Sequence, residues 1–133
     1  MRHESAEMNW TIEFLREQAI VVVTTSGVMR IEALREMSIA GLAAGRAFGA
    51  KKFLIDHRQT APDLGTLDIH DLPDMYASMG IDPEFRVATL LAENATGHDA
   101  FEFFQLLMRN RGAHYFQQFT DFDDAMHWLT SAD

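Results

Sequence analysis

The chain has 133 residues, no cysteine and a formal net charge of −9 at pH 7. This length suits one domain over residues 1–133 with a sizeable core, and the lack of cysteine excludes disulfides and thiolate metal ligands. The negative charge is unfavourable for binding nucleic acid or an anionic membrane surface. The start of the chain is polar and no apolar run approaches about 20 residues, which predicts a cytoplasmic protein without a membrane span.

The chain is predicted to begin with a β-hairpin. Trp10, Ile12 and Phe14 alternate with polar residues, which is the period-two pattern of a strand with one buried face. After a polar break, the β-branched run 19–23 forms a second strand, and polar residues 24–27 follow it. We expect these two strands to pair as a hairpin.

A long helix is predicted from about Arg30 to Phe48, where apolar residues recur at spacings of three and four. Gly41, Gly45 and Gly49 fall four residues apart and form a ridge without side chains. Each glycine inside a helix costs about 1 kcal/mol relative to alanine, so something should offset that cost. We expect close packing of the helix on the sheet, with a dimer contact or a ligand near the backbone as alternatives.

The segment from Lys51 to His57 is predicted to be a central parallel strand, reached from the earlier strand by a right-handed helical crossover. Its apolar centre, residues 53–55, is too short for a helix, and the strand is expected to stop at Asp56 and His57. A polar loop from Asp56 to Asp68 should follow. Because ligands and partners collect where strands of open α/β sheets end, this loop is the predicted functional surface.

A short helix is predicted after this loop. Asp71 can cap it, Pro73 falls in its first turn, and Gly80 ends it. Residues 85–91 then form the next strand.

The last third of the chain predicts a helix, a strand and a final helix. Thr96 and Asp99 form a capping pair for the first of these helices, and Gly112 ends it in a left-handed conformation. Residues 114–119 alternate as the last strand, and the final helix starts at 120–121, where nearby acidic residues suit the helix dipole. The order β-β-α-β-α-β-α-β-α predicts an α/β fold with a mixed, mostly parallel five-stranded sheet, an N-terminal hairpin and four helices.

Five segments, together with this order of elements, resemble one known family. They are the opening hairpin, Lys51 to Arg58, Arg86-Val87-Ala88, Asn110-Arg111-Gly112 and residues 119–129. The family has the STAS fold, which is named for sulfate transporters and anti-sigma-factor antagonists, and the resemblance is greatest to its small SpoIIAA-like proteins. The resemblance spans nearly the whole chain, and it implies a non-enzymatic regulatory or binding module.

The resemblance also implies a phosphorylatable serine at a helix start after the central strand. The Asp-Ser-Ser-Gly type of switch is missing after Asp56, and the hydroxyls in the matching loop belong to Thr60 and Thr66. No cofactor is expected. We expect the loop to contact a protein partner or a small ligand through Asp56, His57, Arg58, Thr60, Thr66 and Asp68.

A carrier of a lipid or another apolar ligand is the main alternative. Phe101 and Phe104 share a helix face while Phe103 points elsewhere, so part of this helix is expected to expose apolar surface. Such a surface could hold an apolar ligand in a pocket between the helices and the sheet, or pair two chains as a homodimer.

An enzyme is the third hypothesis. Asp56 and His57 would form an acid–base pair, with Arg58 available for an oxyanion or a phosphate. The sequence contains no nucleophile elbow and no glycine-rich phosphate loop. The histidines and carboxylates of residues 56–74 lack a recognised ligand spacing, so no metal site is expected.

Overall fold

A computed structural model of the chain describes residues 7–93 and 98–131. The predicted α/β architecture is confirmed, with a mixed five-stranded sheet and four helices in the predicted order. The Thr96 half of the predicted capping pair lies outside the described residues. No helix in these two ranges is both long enough and apolar enough to cross a membrane. The elements are β1 (Asn9–Leu15), β2 (Ile20–Met29), α1 (Ile31–Phe48), β3 (Lys52–Pro62), α2 (Thr66–Ser78), β4 (Arg86–Leu90), α3 (His98–Asn110), β5 (Phe116–Phe119) and α4 (Phe122–Thr130).

The strand order in the sheet is β1-β2-β3-β4-β5. β1 pairs antiparallel with β2 as the predicted hairpin, and Ala19 in the connecting turn has a φ of 59°. The pairs β2–β3, β3–β4 and β4–β5 are parallel, and one helix connects each pair. The carboxyl ends of β2 to β5 therefore face the same edge of the sheet.

Alternation along the strands divides the core into two layers. The helices α1, α2 and α3 cover one face, where they pack on Val23, Phe53 and Val87 among others. The last helix, α4, covers the other face over Leu54 and Leu90, and it lies mainly over β3, β4 and β5. On that second face, Leu15, Ile20 and Val22 pack at the edge of the α4 layer, and the rest of β1 and β2 presents exposed polar side chains to solvent.

The predicted close packing of the glycine ridge on the sheet is confirmed at Gly45; Gly41 makes only ordinary contact with Val23, and Gly49 borders open space. A Cβ atom on Gly45 would lie 2.6 Å from Cζ of Phe53 and 2.9 Å from the carbonyl oxygen of Ala50. Gly49 ends the helix with a φ of 68°, and the Ala50 N–H donates to the Gly45 carbonyl at 2.8 Å. The missing side chain at Gly45 thus lets the helix and β3 approach each other.

The prediction that β3 stops at Asp56 and His57 is wrong, and so is the predicted loop over residues 56–68. β3 continues to Pro62 because β2 is long enough for residues 26–29 to pair with residues 59–62. A bulge places one residue of β2, Thr25, opposite two residues of β3. Pairing with β2 thereby satisfies the backbone N–H and C=O groups of a stretch whose composition is that of a loop.

The predicted start of α2 at Asp71 is also wrong, because the helix begins at Thr66. The Gly65 N–H donates to a carboxylate oxygen of Asp68 at 3.2 Å, which satisfies a backbone donor at the helix start. Pro73 lies inside the helix rather than in its first turn, and a proline there costs about 3 kcal/mol. Burial of the proline and of two apolar neighbours against the core offsets that cost.

Candidate functional site

The predicted site residues lie in three different places at the carboxyl half of β3 and the start of α2, and one of these places is buried. Alternation along β3 places His57 on the opposite face from Asp56 and Arg58, and the bulge opposite Thr25 then turns Thr60 to the same side as His57; the short connection 63–65 leads to the other two. His57 and Thr60 are buried under the helices, Asp56 and Arg58 form an ion pair next to them on the strand, and Thr66 and Asp68 lie in the first turn of α2.

Thr25, His57 and Thr60 form a buried polar cluster. Their relative exposures are 2%, 5% and 6%. Thr25 Oγ1 lies 2.7 Å from Nδ1 of His57, forms a short hydrogen bond with the Thr60 hydroxyl, and donates to the Asp56 carbonyl at 3.1 Å. With its proton on that carbonyl, the Thr25 hydroxyl accepts from Nδ1–H of His57 and from the Thr60 hydroxyl. One threonine of β2 thereby satisfies three polar groups of β3.

His57 is neutral in the folded protein at pH 7. Burial lowers the pKa of His57 to about 4, and the nearby Asp56 charge opposes this only in part. The imidazole ring stacks on Phe101, with 6.1 Å between ring centroids. The ring is therefore held between a hydroxyl on one side and apolar carbon on the other.

Asp56 and Arg58 form a two-point ion pair. Arg58 Nε lies 3.0 Å from Asp56 Oδ1, and Arg58 Nη2 lies 2.9 Å from Asp56 Oδ2. Burial alone would raise the pKa of Asp56, but hydrogen bonds and charge from Arg58 lower it below its ordinary value. The same hydrogen bonds raise the pKa of Arg58. Since the Asp56 carboxylate pairs with Arg58 while His57 points into the core, the structure does not bring Asp56 and His57 together as an acid–base pair.

The histidines and carboxylates of residues 56–74 do not form a metal cluster. His70 Nδ1 lies 3.2 Å from Asp71 Oδ1, and both side chains are exposed. Within the parts of the chain that the structure describes, no three such groups are placed to hold an ion. Their placement on different faces of β3 and α2 is the reason.

Two small cavities lie between the sheet and helices α1, α2 and α3, next to the buried cluster. Their volumes are about 70 Å³ and about 50 Å³, and His57, Tyr76 and Phe104 line both of them. Sites for small molecules usually measure about 300–1,000 Å³, and even a cavity of about 150 Å³ takes only a ligand the size of benzene. The two cavities are therefore too small for the lipid chain that the carrier hypothesis requires.

The start of α2 carries an apolar side chain that the sequence analysis missed. Leu67 is 77% exposed, and it lies between the exposed Thr66 and the partly exposed Asp68. We call residues 65–68 the α2 start surface. The sequence did contain a signal for this exposure, because Leu67 stands between Thr66 and Asp68, just after Gly65.

Thr25 was also missed as a site residue. It continues the alternation of Val21 and Val23, which are both fully buried on the helix-covered face. A threonine at the next inward position needs a buried hydrogen-bond partner. Continuing the period-two pattern by one step would have predicted its burial.

Comparisons with known proteins were made for both sequence and structure. No protein-family model matches the chain, and no curated protein matches its sequence significantly. An anti-sigma factor antagonist from Mycobacterium paratuberculosis has a similar structure, with a TM-score of 0.63, 18% identity, and coverage of 93% of this chain and 95% of the other. An uncharacterized protein of the DUF3478 family with a SpoIIAA-like fold, from Shewanella loihica PV-4, has a TM-score of 0.58 and 21% identity over 97% of this chain and 98% of the other. The chain has a SpoIIAA-like (STAS) fold.

The STAS resemblance predicted from the sequence is thus confirmed for the fold. At these identities a shared fold does not by itself transfer an activity. Within the STAS fold of this chain, the two candidate hydroxyls occupy different environments. Thr60 is buried in β3, whereas Thr66 is the exposed first residue of α2.

Proposed function

We propose that this protein is a non-enzymatic regulatory module that binds a protein partner through the α2 start surface. The observation that carries the proposal is the 77% exposure of Leu67 in the first turn of a helix that follows the central strand. Proteins with open α/β sheets usually bind their ligands at the carboxyl edge of the strands, and α2 begins at that edge. An apolar side chain there is available for burial by another protein.

The size of the interior cavities supports a protein partner over a small ligand. A space of about 70 Å³ beside His57 is too small for a drug-sized molecule, whereas the α2 start surface is open to solvent. His57 and Thr60 then act indirectly, by holding the end of β3 from which α2 starts. Asp56 and Arg58 flank this region as an ion pair on the strand.

The structural neighbours support a regulatory role. The Mycobacterium paratuberculosis protein is by name an antagonist of an anti-sigma factor, and it has the same fold over nearly the full length of both chains. In the present chain, Thr66 is the hydroxyl that a kinase could reach, because Thr60 is buried. A phosphate at the first residue of α2 would be stabilised by the helix dipole and would change the charge beside Leu67.

The proposal is tested by partner capture with a matched pair of leucine variants. Leu67→Ser removes the apolar group at the α2 start surface, and Leu106→Ser removes a 47% exposed leucine in α3. Since both leucines are exposed, each variant should keep the wild-type unfolding free energy within about 0.5 kcal/mol. Immobilised wild type, Leu67→Ser and Leu106→Ser are each incubated with extract of the source cells, and captured proteins are quantified by mass spectrometry.

We expect a partner that the wild type and Leu106→Ser retain, and that Leu67→Ser retains at least about tenfold less. Equal capture by Leu67→Ser and the wild type would contradict the proposed surface. Loss of capture in both variants would place the contact elsewhere and would contradict it as well.

A further inference from the structure

The sheet has two edge strands, β1 and β5, and they differ in how they are protected against pairing with another strand. β5 has only four residues, and a short edge strand is one way in which proteins prevent unwanted pairing. β1 has seven residues, contains no proline, carries a single charged residue, Glu13, and pairs with β2 without a bulge. Alternate N–H and C=O groups of β1 point away from β2, and no other strand of the described residues pairs with them.

The helix-covered face of β1 is apolar and only partly covered. Trp10, Ile12 and Phe14 pack against the core on the α1 side of the sheet, yet all three remain partly exposed. Phe48 stacks on Phe14 with 4.3 Å between ring centroids, and it is itself 47% exposed. Ala44 precedes Phe48 by one helical turn and shares that side of α1, so the helix covers β1 there with only a methyl group. This edge therefore presents open backbone groups beside apolar side chains.

A second copy of β1 suits this edge, because the strand is complementary to itself in one antiparallel register. About a two-fold axis perpendicular to the sheet, directly opposite residues share a face and one residue lies opposite its own copy. With Ile12 on the axis, all seven residues of β1 find a partner. Trp10 then lies opposite Phe14 of the other copy, and Thr11 lies opposite Glu13. Aromatic pairs directly across two strands are favourable, and each of these pairs occurs twice.

The two neighbouring registers are less favourable. An axis through Glu13 sets two carboxylates directly opposite each other, which is destabilising. An axis through Thr11 pairs only five residues of β1 and separates Trp10 from Phe14. The charge pattern and the aromatic spacing of β1 therefore select the same register.

We propose that two copies of this protein associate through β1, so that their two five-stranded sheets join into one. The Trp10–Phe14 pairs fill the space between α1 and its copy, and Thr11 and Glu13 face each other on the exposed side. Each chain has a net charge of −9, which opposes association, so screening by salt should strengthen the dimer. β2 separates β1 from β3, and the proposal does not depend on the function proposed for the α2 start surface.

The test is sedimentation velocity of the full chain from ~10 μM to ~1 mM, at low and high ionic strength. We expect the mass to rise with concentration from that of one chain to that of two, and at lower concentration when salt is high. Hydrogen exchange should slow at residues 9–15 as the dimer forms, and it should not change at residues 116–119 of the other edge.

Charge variants on the exposed face of β1 test the register. Thr11→Glu sets a new carboxylate opposite Glu13 of the other copy at two places, so it should weaken the dimer at least about tenfold. Thr24→Glu is the matched control, because Thr24 is exposed, pairs with Thr11 within one chain and lies one strand farther from the interface. It adds the same charge and should weaken the dimer less than about threefold.

Two further variants reverse the effect. Thr11→Glu combined with Glu13→Lys should restore association to within about threefold of the wild type, because a lysine then lies opposite the new carboxylate. Thr11→Lys alone should strengthen the dimer, since it places a cation opposite Glu13. The proposal is overturned by the mass of a single chain at every concentration, by equal weakening in Thr11→Glu and Thr24→Glu, or by a Glu13→Lys change that fails to restore the dimer. A single-chain mass would leave the edge to a strand of a different protein.

Discussion

At its amino end β3 packs against the backbone of α1, whereas at its carboxyl end it packs through hydrogen-bonded polar side chains. Gly45 brings the helix within contact of Phe53, and an open groove remains beside them. Thr25, His57 and Thr60 fill the other end, and only small cavities remain. One strand thus carries two kinds of packing within 11 residues.

The difference shows which changes each end tolerates. At the carboxyl end, stability depends on a few hydroxyl and imidazole contacts, so removing one polar atom leaves others buried without a partner. At the amino end, stability depends on the absence of a side chain, so added volume is harmful there. Three predictions test this contrast, beginning with the largest expected effect.

Thr25→Val should lower the unfolding free energy by about 3–4 kcal/mol, because it leaves the Thr60 hydroxyl and Nδ1 of His57 buried without their shared partner. Because valine has nearly the same shape as threonine, the lost stability comes from missing hydrogen bonds and not from changed packing. Urea denaturation measures it. Thr24→Val is the control, because Thr24 is exposed on the same strand and its replacement should change stability by less than about 0.5 kcal/mol. Similar losses in both variants would show that the buried cluster contributes no special stability.

The folded protein should lose about 3 kcal/mol of stability as the pH falls from 6.5 to about 4. The pKa of His57 is 6.5 when unfolded and about 4 when folded, so in this window the unfolded state binds the extra proton. Well above pH 6.5, His57 is neutral in both the folded and the unfolded state, so its contribution to stability is fully present. Asp56 acts in a separate window, because its pKa is lowered from 3.8 and its contribution is lost only below that pH.

The measurement is the unfolding free energy at a series of pH values. His57→Gln should remove most of the slope between pH 6.5 and 4, whatever its effect on absolute stability. His70→Gln should retain the slope, because His70 is exposed. A wild-type curve that is flat across this window would contradict the burial of a neutral imidazole.

Gly45→Ala should destabilise the protein by about 2 kcal/mol, because the new Cβ would lie 2.6 Å from the Phe53 ring and 2.9 Å from a backbone oxygen. Gly41→Ala is the matched control in the same helix. Its Cβ would lie 3.6 Å from a side-chain carbon of Val23, which is ordinary contact, so this change should stabilise by up to about 1 kcal/mol. Thermal and urea unfolding distinguish the two. Equal stabilisation by both alanines would mean that helix propensity, and not close packing, governs this end of β3.

Much of the fold could be predicted because its signals are local. The helix from about Arg30 to Phe48 is observed as Ile31–Phe48, because the apolar spacing lies within it and the glycine end signal, Gly49, follows it directly. Gly112 has the predicted left-handed conformation, with a φ of 73°. Asp121 caps α4 by accepting from the Asp124 N–H at 3.0 Å. Each of these features depends on residues within a few positions of one another.

The candidate site was predicted less well, because its geometry depends on distant partners. Residues 57–60 are polar and Ala61-Pro62 follow them, and only the pairing of residues 59–62 with β2 keeps this stretch in the strand. Thr25 lies 32 positions from His57, its hydrogen-bond partner. The exposure of Leu67 follows from a helix start that lies five residues before the predicted Asp71 cap.

The amino-acid sequence by itself determined the order of strands and helices, the mixed sheet and the STAS resemblance, because periodicity and capping act over one or two turns of chain. The tertiary structure alone decided which polar residues of β3 are buried, which are paired and which surface remains open. Those outcomes depend on the length of β2, on one bulge and on hydroxyls contributed from another strand. Burial of a polar group is stable only where such a partner is present, and the partner's position is a property of the fold.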